Sequence, residues 1–158
     1  MTHRIKEIKT LDKFVVLAIF QDGTEKKYDV SQLFADYPQF SRLEKETGLF
    51  EGVAVDVGGY GISWNDELDL AAEEIWNNGE NTGVFRSLDV LDEVGFNLTK
   101  ARDGIGITQK ELADKVKIYQ GDISKIERGQ ANPSIKTLQR LAEGMGMRVK
   151  IEFVPKEK

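Results

Sequence analysis

The chain has no cysteine and a single histidine. Without cysteine there are no disulfides and no thiolate metal sites. The lone imidazole, His3, stands beside the amino terminus, a poor place for a catalytic base. No apolar run approaches the roughly 18 residues of a membrane-spanning helix. The opening MTHRIKEIKT lacks the apolar core of a signal peptide, so a cytoplasmic location and no membrane partner are expected. A phosphate-binding glycine loop between a strand and a helix is also missing. Gly58-Gly59-Tyr60-Gly61 comes nearest, and a hairpin turn accounts for it. Asp22, Asp29, Asp56, Asp66, Glu67 and Asp69 supply carboxylates, but carboxylates alone do not make a site. Asp66, Glu67 and Asp69 suit either a divalent cation or, more simply, a solvated loop. Trp64 and Trp76 suit either a ligand pocket or a core, the default for large aromatics. These residues lead us to expect no enzyme, no cofactor and no metal.

What remains is a chain of 158 residues, 40% hydrophobic, with a formal net charge of −5. That length holds one medium domain or two small ones, and the composition does not suggest disorder. The charge is unevenly spread. Residues 1–83 hold 8 Lys+Arg against 16 Asp+Glu, a balance of −8, and Val84 onward holds 14 against 11, a balance of +3. Such asymmetry fits a weakly basic module joined to an acidic one with a different partner.

The acidic half reads as a small, mostly antiparallel α+β domain over residues 1–80. Ile5, Ile8 and Leu11 mark a first strand, and Phe14 to Phe20 forms an apolar run short enough for a buried strand. Asp22-Gly23 marks a hairpin turn, after which Thr24 to Val30 pairs back. Ser31 caps a short helical piece with Leu33 and Phe34, ended at Tyr37-Pro38, and Phe40, Leu43, Leu49 and Phe50 add to the core. Val53, Val55 and Val57 alternate as in a strand. A turn at Gly58-Gly59 leads to a strand over Tyr60 to Trp64, then a closing helix from Asp69 to Trp76. Asn77 to Gly83 reads as a polar linker.

The second half, residues 84–158, reads as helical. Leu91, Val94, Leu98 and Ala101 recur at three and four residues, giving a helix from about Asp89 to Asp103 that Gly95 weakens locally. The stretch ITQKELADKVKIYQGDISKIERGQANPS then spans Ile107 to Ser134. Thr108 and Glu111 form a capping box, and Leu112, Ala113 and Val116 stripe one face. After a break at Lys117 to Tyr119, Ile123 and Ile126 start a second stripe on a helix beginning near Gln120, and Gly129 stops it. Its other side carries Gln120, Gly121, Asp122, Ser124 and Lys125. A helix-turn-helix lays such a helix in the major groove of DNA, where Gln bonds adenine and Lys donates to guanine or phosphate. Ser134 caps a further helix with Ile135, Leu138, Leu141, Ala142 and Met145 inward, stopped at Gly146. Met147, Val149, Ile151 and Phe153 then alternate with charged residues, a half-buried strand over Met147 to Pro155. Its unpaired edge calls for either the same strand of a second subunit or the sheet of its own chain.

The motifs T-Q-x-E-L-A, I-S-K-I-E-R-G and N-P-S, at this spacing, resemble the Cro/lambda-repressor-type, or XRE, helix-turn-helix family. The resemblance implies a lambda-repressor-like all-α fold and a double-stranded DNA partner. It places Arg102 opposite Glu127 as a structural salt bridge, and gives Gln109 a phosphate contact, with capping of the helix end as the alternative. Tyr119, Gln120, Gly121, Asp122 and Lys125 become the groove-facing set. Ser124, Arg128, Gln130 and Asn132 lie nearer the DNA backbone. Asp122 departs from the Ser, Thr or Asn commoner there. The terminal strand is similar to those of the HigA- and HipB-like antitoxin branches, which implies a homodimer on a palindromic operator and a small basic toxin as a further partner. Residues 1–78 resemble a small bacterial domain family of unknown function, through FQDGTEKKYDVSQLF, RLEKETGLF and GISWNDELDLAAEEIW. A ligand sensor or protein-interaction adaptor, whose helix-turn-helix serves mainly to dimerise, is the alternative.

Overall fold

A computed structural model describes residues 2–156. Its amino-terminal part is built on an antiparallel sheet of β1 (Ile5–Thr10), β2 (Val15–Phe20), β3 (Thr24–Asp29) and β7 (Glu80–Phe85), in the order β1-β2-β3-β7. A second sheet joins β4 (Ala54–Val55), β5 (Gly61–Asn65) and β6 (Leu68–Ala71). Two short helices, α1 (Arg42–Lys45) and α2 (Ala72–Asn78), complete this part. Period-two alternation drives the strands: Val16, Ala18 and Phe20 of β2 and Tyr28 of β3 face a core shared with Ile5, Ile62, Leu68 and Ile75. Trp64 is part of that core, and its indole N–H donates to the Phe50 carbonyl at 3.1 Å. Trp76 packs on its rim, stacked by the His3 ring at 3.7 Å.

Three stretches fold differently from expectation. The strand ends at Val55, because Gly58 (φ 82) and Gly59 (φ 76) turn the chain at once, leaving Val57 71% exposed. Residues 68–71 form β6 rather than the start of a helix: the Glu67 N–H bonds the Asn65 side chain at 2.9 Å, closing a turn, and Leu68 and Leu70 then alternate inward. Only from Ala72 does the chain become helical. The expected linker contains an edge strand. β7 pairs with β3 in the register Lys27↔Glu80, Lys26↔Asn81 and Thr24↔Phe85. Its residues are almost all exposed, so no apolar pattern marks it. Backbone pairing holds it instead, with Thr82 donating to the Glu25 carboxylate and Arg86 pairing with Glu25 at 2.8 Å.

The rest of the chain packs α3 (Val90–Gly104), α4 (Gln109–Val116), α5 (Gln120–Glu127) and α6 (Ile135–Gly144) around Leu98, Leu112, Ile123, Ile126, Leu141 and Met145. Asp89 caps α3 in a reciprocal box with Asp92, and Ser134 caps α6. Residues 147–156 form no strand in the single chain. Ladder bonds need a partner edge, and the sheets of this chain do not supply one. The segment lies beside α3 and α6, lining a groove with Val94, Leu98, Leu138 and Met145. Met147, Val149, Ile151 and Phe153 are exposed, Phe153 by 98%. No helix among the described residues is long and apolar enough to cross a membrane.

Candidate nucleic-acid interface

The interface grows from two local signals. Thr108 caps α4 by accepting from the Glu111 N–H at 3.1 Å, while Glu111 accepts from the Thr108 N–H at 2.7 Å. That backbone bond holds the Glu111 carboxyl below its ordinary pKa. At the other end Lys117 takes a left-handed conformation (φ 57) and stops the helix. Tyr119 then takes the N-cap position of α5 without a side-chain capping bond, and the helix starts at Gln120. Ile123 and Ile126 anchor α5 in the core. At 3.6 residues per turn their burial turns Asp122 and Lys125 outward, while Gln120, in line with Ile123, is exposed because it opens the first turn of the helix. Tyr119 is 81% exposed, with its ring against Gly121.

Behind this face a buried charge network fixes how α5 sits. Arg102 of α3 grips Glu127, the last residue of α5, with two bonds: Nε to Oε1 at 2.5 Å and Nη2 to Oε2 at 3.0 Å. Each side chain is no more than 2% exposed. The third arm of the fork, Nη1, donates to the Ile107 carbonyl at 2.7 Å, just before α4. Burial by itself pulls the Arg102 pKa down, but the bond and charge of Glu127 outweigh it and hold the guanidinium above its ordinary value. The guanidinium therefore stays charged, and each buried partner depends on the other. Gly95 lets α3 and α5 touch: an added Cβ there would fall 2.5 Å from the Ile126 and Glu127 carbonyl oxygens.

Two expected backbone-contacting residues sit elsewhere. Gln109 is only 5% exposed, and its amide donates to Glu127 Oε2 at 2.8 Å. Its side chain completes the carboxylate's coordination instead of reaching outward. Ser124 is 1% exposed, on the same flank of α5 as Glu127. The turn Val57–Gly59 of the amino-terminal part packs against α5, with Gly58 beside the Gln109 amide. Arg128 is half-buried, its Nε near the Ser124 carbonyl at 3.4 Å, while Gln130 and Asn132 are exposed.

Sequence reasoning missed the residues that bring that turn here. Arg4 is buried, with Nη1 on the Gly58 carbonyl and Nη2 on Asp103, both at 3.1 Å. Its guanidinium lies 3.2 Å from the Tyr60 ring centroid, and the Tyr60 hydroxyl accepts from Arg102 at 3.4 Å. Lys6 pairs with Asp92, and Gln21 with Thr99. A buried arginine flanking a strand has no periodic signature, and Tyr60 sits in a Gly-rich stretch that reads as a turn.

Family comparisons agree with this geometry. Residues 98–150 match the family described as Helix-turn-helix, and residues 5–81 match the one described as Protein of unknown function (DUF2442). The chain is similar to y4dJ, an uncharacterized HTH-type transcriptional regulator of Sinorhizobium fredii, at 35% identity over 60 residues, 38% of this chain and 78% of the relative. It is also similar to an uncharacterized HTH-type transcriptional regulator of Haemophilus influenzae, at 30% identity over 91 residues, 58% of this chain and 85% of the relative. With its exposed α5 face, its buried Arg102–Glu127 pair and these matches, the chain belongs to the XRE-type helix-turn-helix transcriptional regulators, a DNA-binding family, and carries a DUF2442 domain ahead of that module.

Proposed function

We propose that the protein is a sequence-specific regulator that binds a palindromic operator at its own promoter as a homodimer and represses it. The observation that carries this reading is the exposed set Tyr119, Gln120, Asp122 and Lys125, at the amino-terminal end and outer side of a helix that Ile123 and Ile126 anchor in the core. Gln120 bonds an adenine edge, and Lys125 donates to guanine or to phosphate. Gly121 lets the backbone approach the groove, and Asp122 accepts from a cytosine amine or caps the helix. Arg128, Gln130 and Asn132 hold the DNA backbone. With the Gln109 side chain committed to Glu127, a phosphate would meet the first-turn backbone N–H groups of α4 rather than that amide.

The exposed apolar residues Met147, Val149, Ile151 and Phe153 support dimerisation. Pairing this segment with its copy would supply the missing strand edge and cover the apolar face. The −8 balance of residues 1–83 supports a small basic protein, of the toxin kind, as the partner of the amino-terminal part. Division into an acidic module of residues 1–80 and a DNA-binding module of residues 84–158 follows the same reading, with β7 bridging the two.

Binding of the purified protein to DNA from upstream of its own gene, across a salt series, tests the proposal. The expected result is a protected palindrome with half-sites about one helical turn apart, and affinity falling with a log–log slope of about −0.9 per phosphate contact. Binding no tighter than to unrelated DNA would replace the autoregulator with the adaptor reading. Ile151→Asp should yield a monomer in sedimentation, and a dimer that persists would remove the terminal segment from the interface.

A further inference from the structure

We propose that Arg4 and Tyr60, in the amino-terminal part, are positioning residues for DNA recognition: they act on α5 through the Arg102–Glu127 pair. This rests on the reading of α5 as the DNA-reading helix.

Arg102 has two carboxylates within reach, Glu127 at 2.5 Å and Asp103 at 3.2 Å. One positive charge cannot balance two largely buried carboxylates, which compete for it. Arg4 resolves the competition, because its Nη2 pairs with Asp103 at 3.1 Å. Two arginines then face two carboxylates in a nearly dry cluster with no net charge, and Arg4 alone comes from outside the helical module. Remove it, and Arg102 becomes the one cation left for both carboxylates, which draws it away from Glu127 and leaves buried charge uncompensated.

Tyr60 ties the two arginines together. Its ring carries Arg4 on one face, and its hydroxyl accepts from the same Arg102 Nη2 that holds Glu127. The ring thus touches both guanidinium groups. The backbone supporting them is closely packed. Gly59 lies directly on the Ile5 backbone with no room for a side chain, so β1 and the Asp56–Tyr60 turn move together. That turn also packs along α5, on the flank where Ser124 and Glu127 are buried. Glu127 ends the helix that presents Gln120 and Lys125. A shift in how it is held tilts that helix, and base-edge hydrogen bonds tolerate little misplacement.

The test compares Arg4→Gln, Arg4→Lys and Tyr60→Phe in the full-length protein, well below their unfolding temperatures. Affinity for the operator and for random DNA is measured over a salt series, and hydrogen exchange across residues 120–127 is measured without DNA. Arg4→Gln should lower specific affinity by about 5- to 30-fold, with random-DNA binding and the salt slope unchanged, because no phosphate contact is lost. Arg4→Lys should recover part of the loss. Tyr60→Phe, which removes only a hydroxyl, should show the same pattern more weakly in a fully folded protein. Amides of α5 should exchange faster in each variant while those of α6 do not. Unchanged specificity and unchanged α5 exchange would overturn the proposal. If the wild-type protein binds no operator, the proposed function fails, and the exchange pattern still decides whether Arg4 and Tyr60 seat the helix.

Discussion

Replacing Gly95 with alanine probes the docking of α3 on α5 directly. In an exposed helix interior this change stabilises by about 1 kcal/mol, because glycine gives up more backbone entropy. Here the new Cβ would meet the Ile126 and Glu127 carbonyl oxygens at 2.5 Å and the Glu127 carbonyl carbon at 2.8 Å. These are backbone atoms that cannot rotate aside, so the end of α5 must retreat by about half an ångström. Overpacking of this kind costs roughly 1–3 kcal/mol. Because the clash is with main-chain atoms on both carbonyls, its cost falls in the upper half of that range, about 2–3 kcal/mol, for a net loss of about 1–2 kcal/mol. In a chain of this size that lowers Tm by about 2–8 °C, and displacing Glu127 should also weaken operator binding. Gly104, at the end of the same helix, is the control. An added Cβ there meets nothing within 4 Å, so Gly104→Ala should stabilise by up to about 1 kcal/mol. Thermal unfolding followed by circular dichroism, paired with DNA titration, reads both variants. A Gly95→Ala protein as stable as wild type, with undiminished DNA affinity, would refute the close-packed geometry.

Other perturbations follow from the same structure. Glu127→Ala strands the buried Arg102 charge and should cost about 3–5 kcal/mol in urea unfolding, whereas the double variant Arg102→Met/Glu127→Leu should recover much of that loss. Gln120→Ala should relax discrimination at one operator position by about 1–3 kcal/mol, and Lys125→Ala should weaken binding; a Lys125 variant with unaltered affinity and specificity would take α5 out of the groove. Glu25, bonded by Arg86, and Glu73, bonded by His3 despite its burial, both have carboxyl pKa values below the ordinary one. The unfolded chain therefore takes up protons first as acid is added. The stability they contribute is complete above about pH 5 and is lost as the pH falls through the carboxylate range. Glu25→Gln should flatten that part of a stability–pH curve, and an unchanged curve would refute the assignment.

The helix-turn-helix was legible because its instructions are local. The Thr108–Glu111 capping box, the apolar stripe through Leu112 and Ala113, the pair Ile123 and Ile126, and the stop at Gly129 all act within a few residues of one another. The same holds for the Asp22-Gly23 hairpin and for β1 to β3. Even the Arg102–Glu127 contact came from resemblance to a family motif, because spacing alone does not pair residues 25 positions apart. Other features depended on neighbours remote in sequence. β7 is polar and exposed, so its pairing follows from the open edge of β3 rather than from any pattern of its own. Leu68 and Leu70 suit a strand or a helix, and the turn after Asn65 decided between them. Gln109 and Ser124 look like surface residues from the sequence, yet both are buried, Gln109 against the Glu127 carboxylate at the far end of the next helix. Arg4 meets Asp103 across 99 positions. Periodicity and capping are properties of a segment and can be read from it, whereas the partner of a buried charge is fixed only when two distant segments share the same low-dielectric space, and that the tertiary structure alone decided.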